Sequence, residues 1–156
     1  MTVFQNFPNE SRVWLYQTDR ALTSTEMGWL ANEMKQFVTE WAAHGTKLWA
    51  DGVVVNPYFV AFAVDESVTP PSGCSIDSSV KFLKAAGKEL GVDFFTRMKV
   101  CVDTSDSIQQ IDYHDFRNQH LSGDELIYDA LISSLFELRN AWPRKLKESG
   151  LSGVIS

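Results

Sequence analysis

The sequence predicts an α+β fold, a ferredoxin-like βαββαβ sandwich with a C-terminal helical extension. Three observations carry this. Apolar residues recur alternately with period two and with helical period across residues 12–103, in the order strand, helix, strand, strand, helix, strand. Only Asn56-Pro57 separates the two middle strand runs, so these form a hairpin. The strand runs are apolar on both faces, so layers must cover both sides of their sheet.

Residues 12–17, RVWLYQ, are rich in β-branched and aromatic side chains and read as the first strand. Thr23 then caps a helix, with Glu26 three residues on as a capping box. Met27, Leu30, Met34, Phe37, Val38 and Trp41 follow at spacings of three and four, and Gly45 is the expected stop. Residues 47–55 and 58–65 are the hairpin strands. Pro57 belongs at their turn because it cannot donate to a ladder. Pro70, Pro71 and Gly73 make residues 66–73 a loop. A second helix is expected over 76–90, with Ile76, Val80, Leu83, Gly87 and Leu90 on one face and Gly91 closing it. Residues 97–103 alternate as the fourth strand.

The last third reads differently. Residues 104–121 are polar and irregular, with Tyr113 and Phe116 as anchors. Ser122 and Glu125 resemble another capping box, opening a helix to Asn140 with Ile127, Leu131, Ser134, Leu135 and Leu138 on one face; Pro143 ends it. The expected organisation is one domain over 1–156, with its core at about 12–103 and the helical extension at about 104–148. That last helix is the expected cover for the open sheet face, where Val13 and Leu15 alternate with Trp14 and Tyr16. A dimer partner is the other candidate cover.

The chain has 156 residues and a formal charge of -6, a field that disfavours nucleic acid and anionic membranes. No apolar run approaches the ~18 residues of a membrane span. Residues 1–10 lack the basic and apolar regions of a secretory signal, and two cysteines make no disulfide framework, so a cytoplasmic location is expected.

The chemistry centres on Ser72-Gly73-Cys74-Ser75-Ile76-Asp77. A thiol near a helix N-terminus meets free N–H groups and a favourable dipole, which can bring a cysteine pKa from about 8.5 into the range ~3.5–7.5. His44 would be the assisting base, and Asp65 or Glu66 an accessory group. The plainer reading makes Ser75 or Asp77 the cap and Cys74 a loop residue. Cys101, within a strand, reads as a small buried hydrophobe. His114 and His120 fit no ligand spacing. Asp65, Glu66, Asp51 and Asp103 lie at or near strand ends, where carboxylates either bind a cation or do turn chemistry. The six aromatic residues Trp14, Tyr16, Trp29, Trp41, Trp49 and Trp142 are core, cover or stacking platforms.

Four segments together resemble an uncharacterised family of small bacterial proteins: residues 12–20 (RVWLYQTDR), 41–45 (WAAHG), 65–67 (DES) and 72–77 (SGCSID). Members are sometimes labelled ABC-transporter ATPases. The resemblance implies no activity that could be transferred. The ATPase label fails on physical grounds, since the chain has no G-x-x-x-x-G-K-[ST] and no Lys follows Gly73.

The resulting expectation is a binding protein without a cofactor, taking a protein partner, its own copy or a small ligand. Ser72, Gly73, Ser75, Asp77, Asp65 and Glu66 are the candidate contacts. The alternative is a thiol enzyme or redox sensor with Cys74 and His44 as its catalytic pair. A weaker alternative is a carboxylate metal site involving Asp65, Glu66 and Asp103.

Overall fold

The computed structural model describes residues 4–43 and 45–155. Its order is β1 (Arg12–Gln17), α1 (Ser24–Glu40), β2 (Ala42–Ala43), β3 (Thr46–Lys47), β4 (Ala50–Asn56), β5 (Phe59–Val64), α2 (Gly73–Leu90), β6 (Lys99–Asp103), β7 (Ile108–Asp112), α3 (Tyr113–Arg117), β8 (Leu126–Ile127), α4 (Leu135–Asn140) and β9 (Arg144–Lys145). The protein is thus mixed α+β with antiparallel sheets. No helix among the described residues is long and apolar enough to cross a membrane.

The first sheet has the order β1-β5-β4, with Trp14 opposite Phe62 and Gly52 opposite Phe62 on the other side. The β5 sequence FVAFAV is wholly buried, as expected of a central strand covered on both faces. Val60, Phe62 and Val64 pack with Leu30, Met34 and Val38 of α1 and Leu83 and Ala86 of α2. Phe59, Ala61 and Ala63 face the opposite way, into Val13, Ile132, Leu135, Leu138 and Trp142. The C-terminal region is therefore the second cover. Gly52 lets α1 pack tightly on the sheet: a Cβ there would lie 3.0 Å from both the Met34 methyl and the Phe62 ring.

Helix α1 begins as the sequence predicts. Thr23 accepts the Glu26 N–H and Glu26 reaches back to the Thr23 N–H. The Arg20 guanidinium grips the same carboxylate at 2.9 and 2.8 Å and also donates to the Leu90 carbonyl at 2.8 Å, joining the start of α1 to the end of α2. Hydrogen bonds from Arg20, then from the Thr23 backbone, hold the Glu26 carboxyl down to about 2, against an ordinary 4.5. A depressed folded-state pKa stabilises above the unfolded value, and that contribution is lost as pH falls from about 4.5 to about 2. Glu26→Gln is therefore expected to flatten the acid limb of Tm against pH in this window. An unchanged limb would mean that other carboxylates govern acid unfolding.

Four expectations are corrected. The fourth strand, β6, does not lie beside β1; it pairs with β7 and β8 in a second sheet of order β7-β6-β8-β9. Residues 104–121 are not irregular throughout, because β7 pairs along the whole of β6 and α3 follows it, with Phe116 buried. The long helix from Ser122 is absent. Ser122 and Gly123 do donate to the Glu125 carboxylate, but Gly123 has φ +100° and the chain continues into β8. The helix that forms is α4, capped by Ser134 accepting from the Glu137 N–H. Finally, α1 ends at Glu40, and Gly45 (φ +80°) sits instead between β2 and β3.

Candidate functional site

Helix α2 starts three residues before the expected Ile76. Ser72 is its N-cap, accepting from the Ser75 N–H at 3.2 Å, while the Ser72 N–H donates to the Ser75 hydroxyl oxygen at 3.0 Å. The Ser75 hydroxyl donates to the Ala42 carbonyl at 2.9 Å, and the Trp41 indole donates to the Ser75 carbonyl at 2.8 Å. Ser75 thus fastens α2 to β2 while Ser72 closes the cap with it, and both hydroxyls are occupied in doing so. This also changes the packing face of α2. Ser75 and Ser79 are buried, and Ile76 and Val80 lie half-buried beside them. A serine is small enough to let the helix approach closely, and the Ser79 hydroxyl is satisfied by the Ile76 carbonyl at 2.6 Å.

Cys74 and Gly73 are exposed on the first turn of this 18-residue helix, and the Cys74 carbonyl accepts from the Ser78 hydroxyl at 2.9 Å. Asp77 is exposed and takes no part in the cap. His44 lies outside the described residues. The strand leading toward it, β2, is tied to the first turn of α2 by the Ser75–Ala42 bond.

The carboxylates do local work. Asp65 accepts from the Ser67 N–H at 3.0 Å and the Ser67 hydroxyl at 2.6 Å, a turn closed by its own side chain. Glu66 pairs loosely with Arg12 at 3.6 Å. Asp103 accepts from the Tyr128 hydroxyl at 3.2 Å. Asp51 accepts from Lys35 at 2.5 Å and from the Gly52 N–H at 2.8 Å. Among the described residues no three His, Cys, Asp or Glu side chains gather as a metal site. Cys101 is buried beside the Gln17 amide, which donates to its sulfur at 3.5 Å, and burial pushes its thiol up to about 12. It is an inert core thiol.

Among the clefts that open on the surface of the described residues, two stand out. The larger, about 360 Å³, lies between Tyr113 and Arg117 of α3 and residues 150–154. It carries the charge of the exposed Arg117, whose guanidinium stands 6.0 Å from the Tyr113 ring centroid. The smaller, about 190 Å³, is lined by Asn6, Phe7, Val38, Thr39 and residues 47–51. Trp49 stands in its wall with 53% of its surface exposed, while the other four tryptophans are buried or half-buried. Leaving an indole in water forgoes a contribution of about 1.5–3 kcal/mol that burial of a large apolar side chain gives. The Trp49 ring is supported by Phe7, itself nearly buried, at 6.3 Å between centroids and 39° between planes. The rim carries Asn6, Thr39, Lys47 and Asp51.

Sequence reading names Trp49 only as one of several aromatics, and it does not find Phe7, Thr39 or Lys47. These come from the N-terminal segment, α1 and β3, and only the tertiary fold brings them together. Compared with protein-family models, curated proteins and solved structures, the chain matches none.

Proposed function

We propose that this is a binding protein whose recognition surface is the cleft at Trp49. The observation that carries this is one exposed tryptophan, backed by a buried ring, at a polar-rimmed depression. Interfaces favour tryptophan because it offers large area at small entropy cost, and truncating such an anchor typically costs 2 kcal/mol or more of binding. The partner is a small ligand, a protein chain or a second copy, and the setting is cytoplasmic. The β1-β5-β4 order and the two helices on one face support reading the core as a variant of the ferredoxin-like sandwich whose fourth strand, β6, has moved to the second sheet. The segments quoted above support reading the chain as a relative of the uncharacterised family that carries the SGCSID motif.

A thermal-shift screen tests the reading. A ligand of the native state raises Tm by mass action. The expected result is a ligand that raises Tm of the wild type and of Cys74→Ser but not of Trp49→Ala. Hits that act equally on Trp49→Ala would move the binding site elsewhere.

A second reading is a thiol enzyme or redox sensor. It is favoured by the exposure of Cys74 on the first turn of α2, next to the strand that leads to His44. Helix-terminal thiolates are the reactive form. Under this reading Cys74 alkylates with iodoacetamide about as fast in mild acid as in alkali. A rate that climbs steadily with pH would leave Cys74 a surface residue. Cys101 is the internal control, expected to stay unlabelled until the protein unfolds.

A further inference from the structure

We infer that the Trp49 cleft takes a neutral, hydroxylated six-membered ring, that is, one pyranose unit of a carbohydrate; this rests on the cleft being the binding surface. Size sets the first limit. The cleft holds about 190 Å³, below the ~300–1,000 Å³ of pockets that enclose drug-sized ligands. It seats a single ring, and anything larger must extend beyond it.

The wall sets the second limit. An indole held at a fixed tilt by Phe7 presents a flat face with a negative quadrupole. A pyranose offers that face a row of weakly positive C–H groups and buries apolar area on it, while its hydroxyls point outward to the rim.

The rim sets the third. A quaternary ammonium would find two rings but also the Lys47 ammonium. The rim's carboxylate, Asp51, is already engaged by Lys35. An anion would find Lys47 without a guanidinium beside it, with Asp51 on the same rim and a formal chain charge of -6 behind it. Hydroxyls suit what is present. The Asn6 amide both donates and accepts. The Thr39 hydroxyl donates to the Gln36 carbonyl at 2.7 Å and keeps lone pairs for an incoming O–H. Both described partners of Asp51 sit on Oδ1, which leaves Oδ2 to accept from a sugar hydroxyl.

The test uses the full chain labelled with ¹⁵N. The indole N–H signal of Trp49 is assigned by its loss in Trp49→Phe. The protein is then titrated with glucose, galactose, mannose, N-acetylglucosamine and their short oligomers, and separately with tetramethylammonium chloride and sodium phosphate. The expected result is a saturable shift of the Trp49 signal by a neutral saccharide, with the buried indoles unmoved. Trp49→Ala and Thr39→Val should each weaken binding, by about tenfold or more for Trp49→Ala. Response to the free monosaccharide would make the ligand a soluble sugar, whereas response only to oligomers would make it a unit of a glycan chain. Movement of Trp49 by tetramethylammonium or phosphate, and not by saccharides, would overturn the carbohydrate assignment and leave the binding surface standing. No movement with any saccharide near its solubility limit would overturn it too.

Discussion

Replacing Phe62 by alanine is expected to lower the stability of this protein by about 3–5 kcal/mol, the usual cost of emptying a fully buried aromatic site. Phe62 lies on the central strand of the first sheet with 0% exposure. Its ring sits among Trp41 at 5.5 Å, Phe37 at 5.6 Å, Phe82 at 6.2 Å and Tyr16 at 6.5 Å, all four edge-on. Those neighbours come from β1, α1, α2 and the turn after α1, so the cavity cannot close by moving one element. Gly52 offers no side chain to fill it from the adjoining strand. Against a total of about 5–15 kcal/mol for a typical domain, the loss removes a large share of native stability. Urea unfolding should show a lower midpoint with an unchanged slope. Phe62→Leu keeps most of the volume and should cost much less, which keeps the comparison readable if the alanine variant does not fold. Phe136→Ala, on the exposed side of α4, is the control and should change stability by no more than about 0.5 kcal/mol. A loss below about 1.5 kcal/mol at Phe62 would mean that this aromatic cluster does not hold α1 and α2 to the sheet.

The parts of the fold legible in the sequence are those where local and tertiary preferences agree. Residues 12–17 form the expected strand, the expected hairpin forms with its turn one residue later, at Pro57-Tyr58, and Thr23 with Glu26 caps α1 as read. Agreement fails in the last third. Ser-x-x-Glu occurs at Ser122 and again at Ser134, with the same local hydrogen bonds available. Only the second opens a helix, because Leu126 and Ile127 instead pair with β9 on one side and β6 on the other. Ile108-Gln109-Gln110-Ile111 has weak strand propensity, yet it pairs with β6 over its whole length. No pattern local to residues 104–130 carries that information; it belongs to the edge that β6 presents. The site divides in the same way. The exposure of Cys74 at a helix start follows from the Ser72 to Asp77 run. The cleft at Trp49 does not, since Phe7 sits in an N-terminal segment of polar appearance. Its two phenylalanines, Phe4 and Phe7, are buried in the second core.

Asp129 is the position where a polar substitution should cost most. It is a buried carboxylate, 4% exposed, and it ties three stretches of the C-terminal region together. Oδ1 accepts from the Leu131 N–H at 3.0 Å and Oδ2 from the Gly150 N–H at 3.1 Å, with the Arg144 Nε at 3.8 Å from Oδ2. Its own carbonyl accepts from the Trp142 indole at 2.9 Å. Breaking a buried ion pair by removing one partner typically costs about 3–5 kcal/mol. Here Arg144 keeps Glu137 at 2.9 Å, so the guanidinium is not left alone, and the loss at Asp129→Ala should fall to about 2–4 kcal/mol. Most of it comes from two backbone N–H groups deprived of their acceptor. Asp129→Asn keeps one good acceptor but turns its NH₂ toward a donor on the other side, so it should cost less than alanine and more than a surface change. Hydrogen exchange separates this from a general loss of stability. In Asp129→Ala the Gly150 and Leu131 amides should exchange well before those of β5, because the segment around Gly150 is released while the first sheet remains closed. Equal acceleration at β5 would mean that Asp129 supports the whole fold, and wild-type protection at Gly150 would mean that the C-terminal turns are held without it.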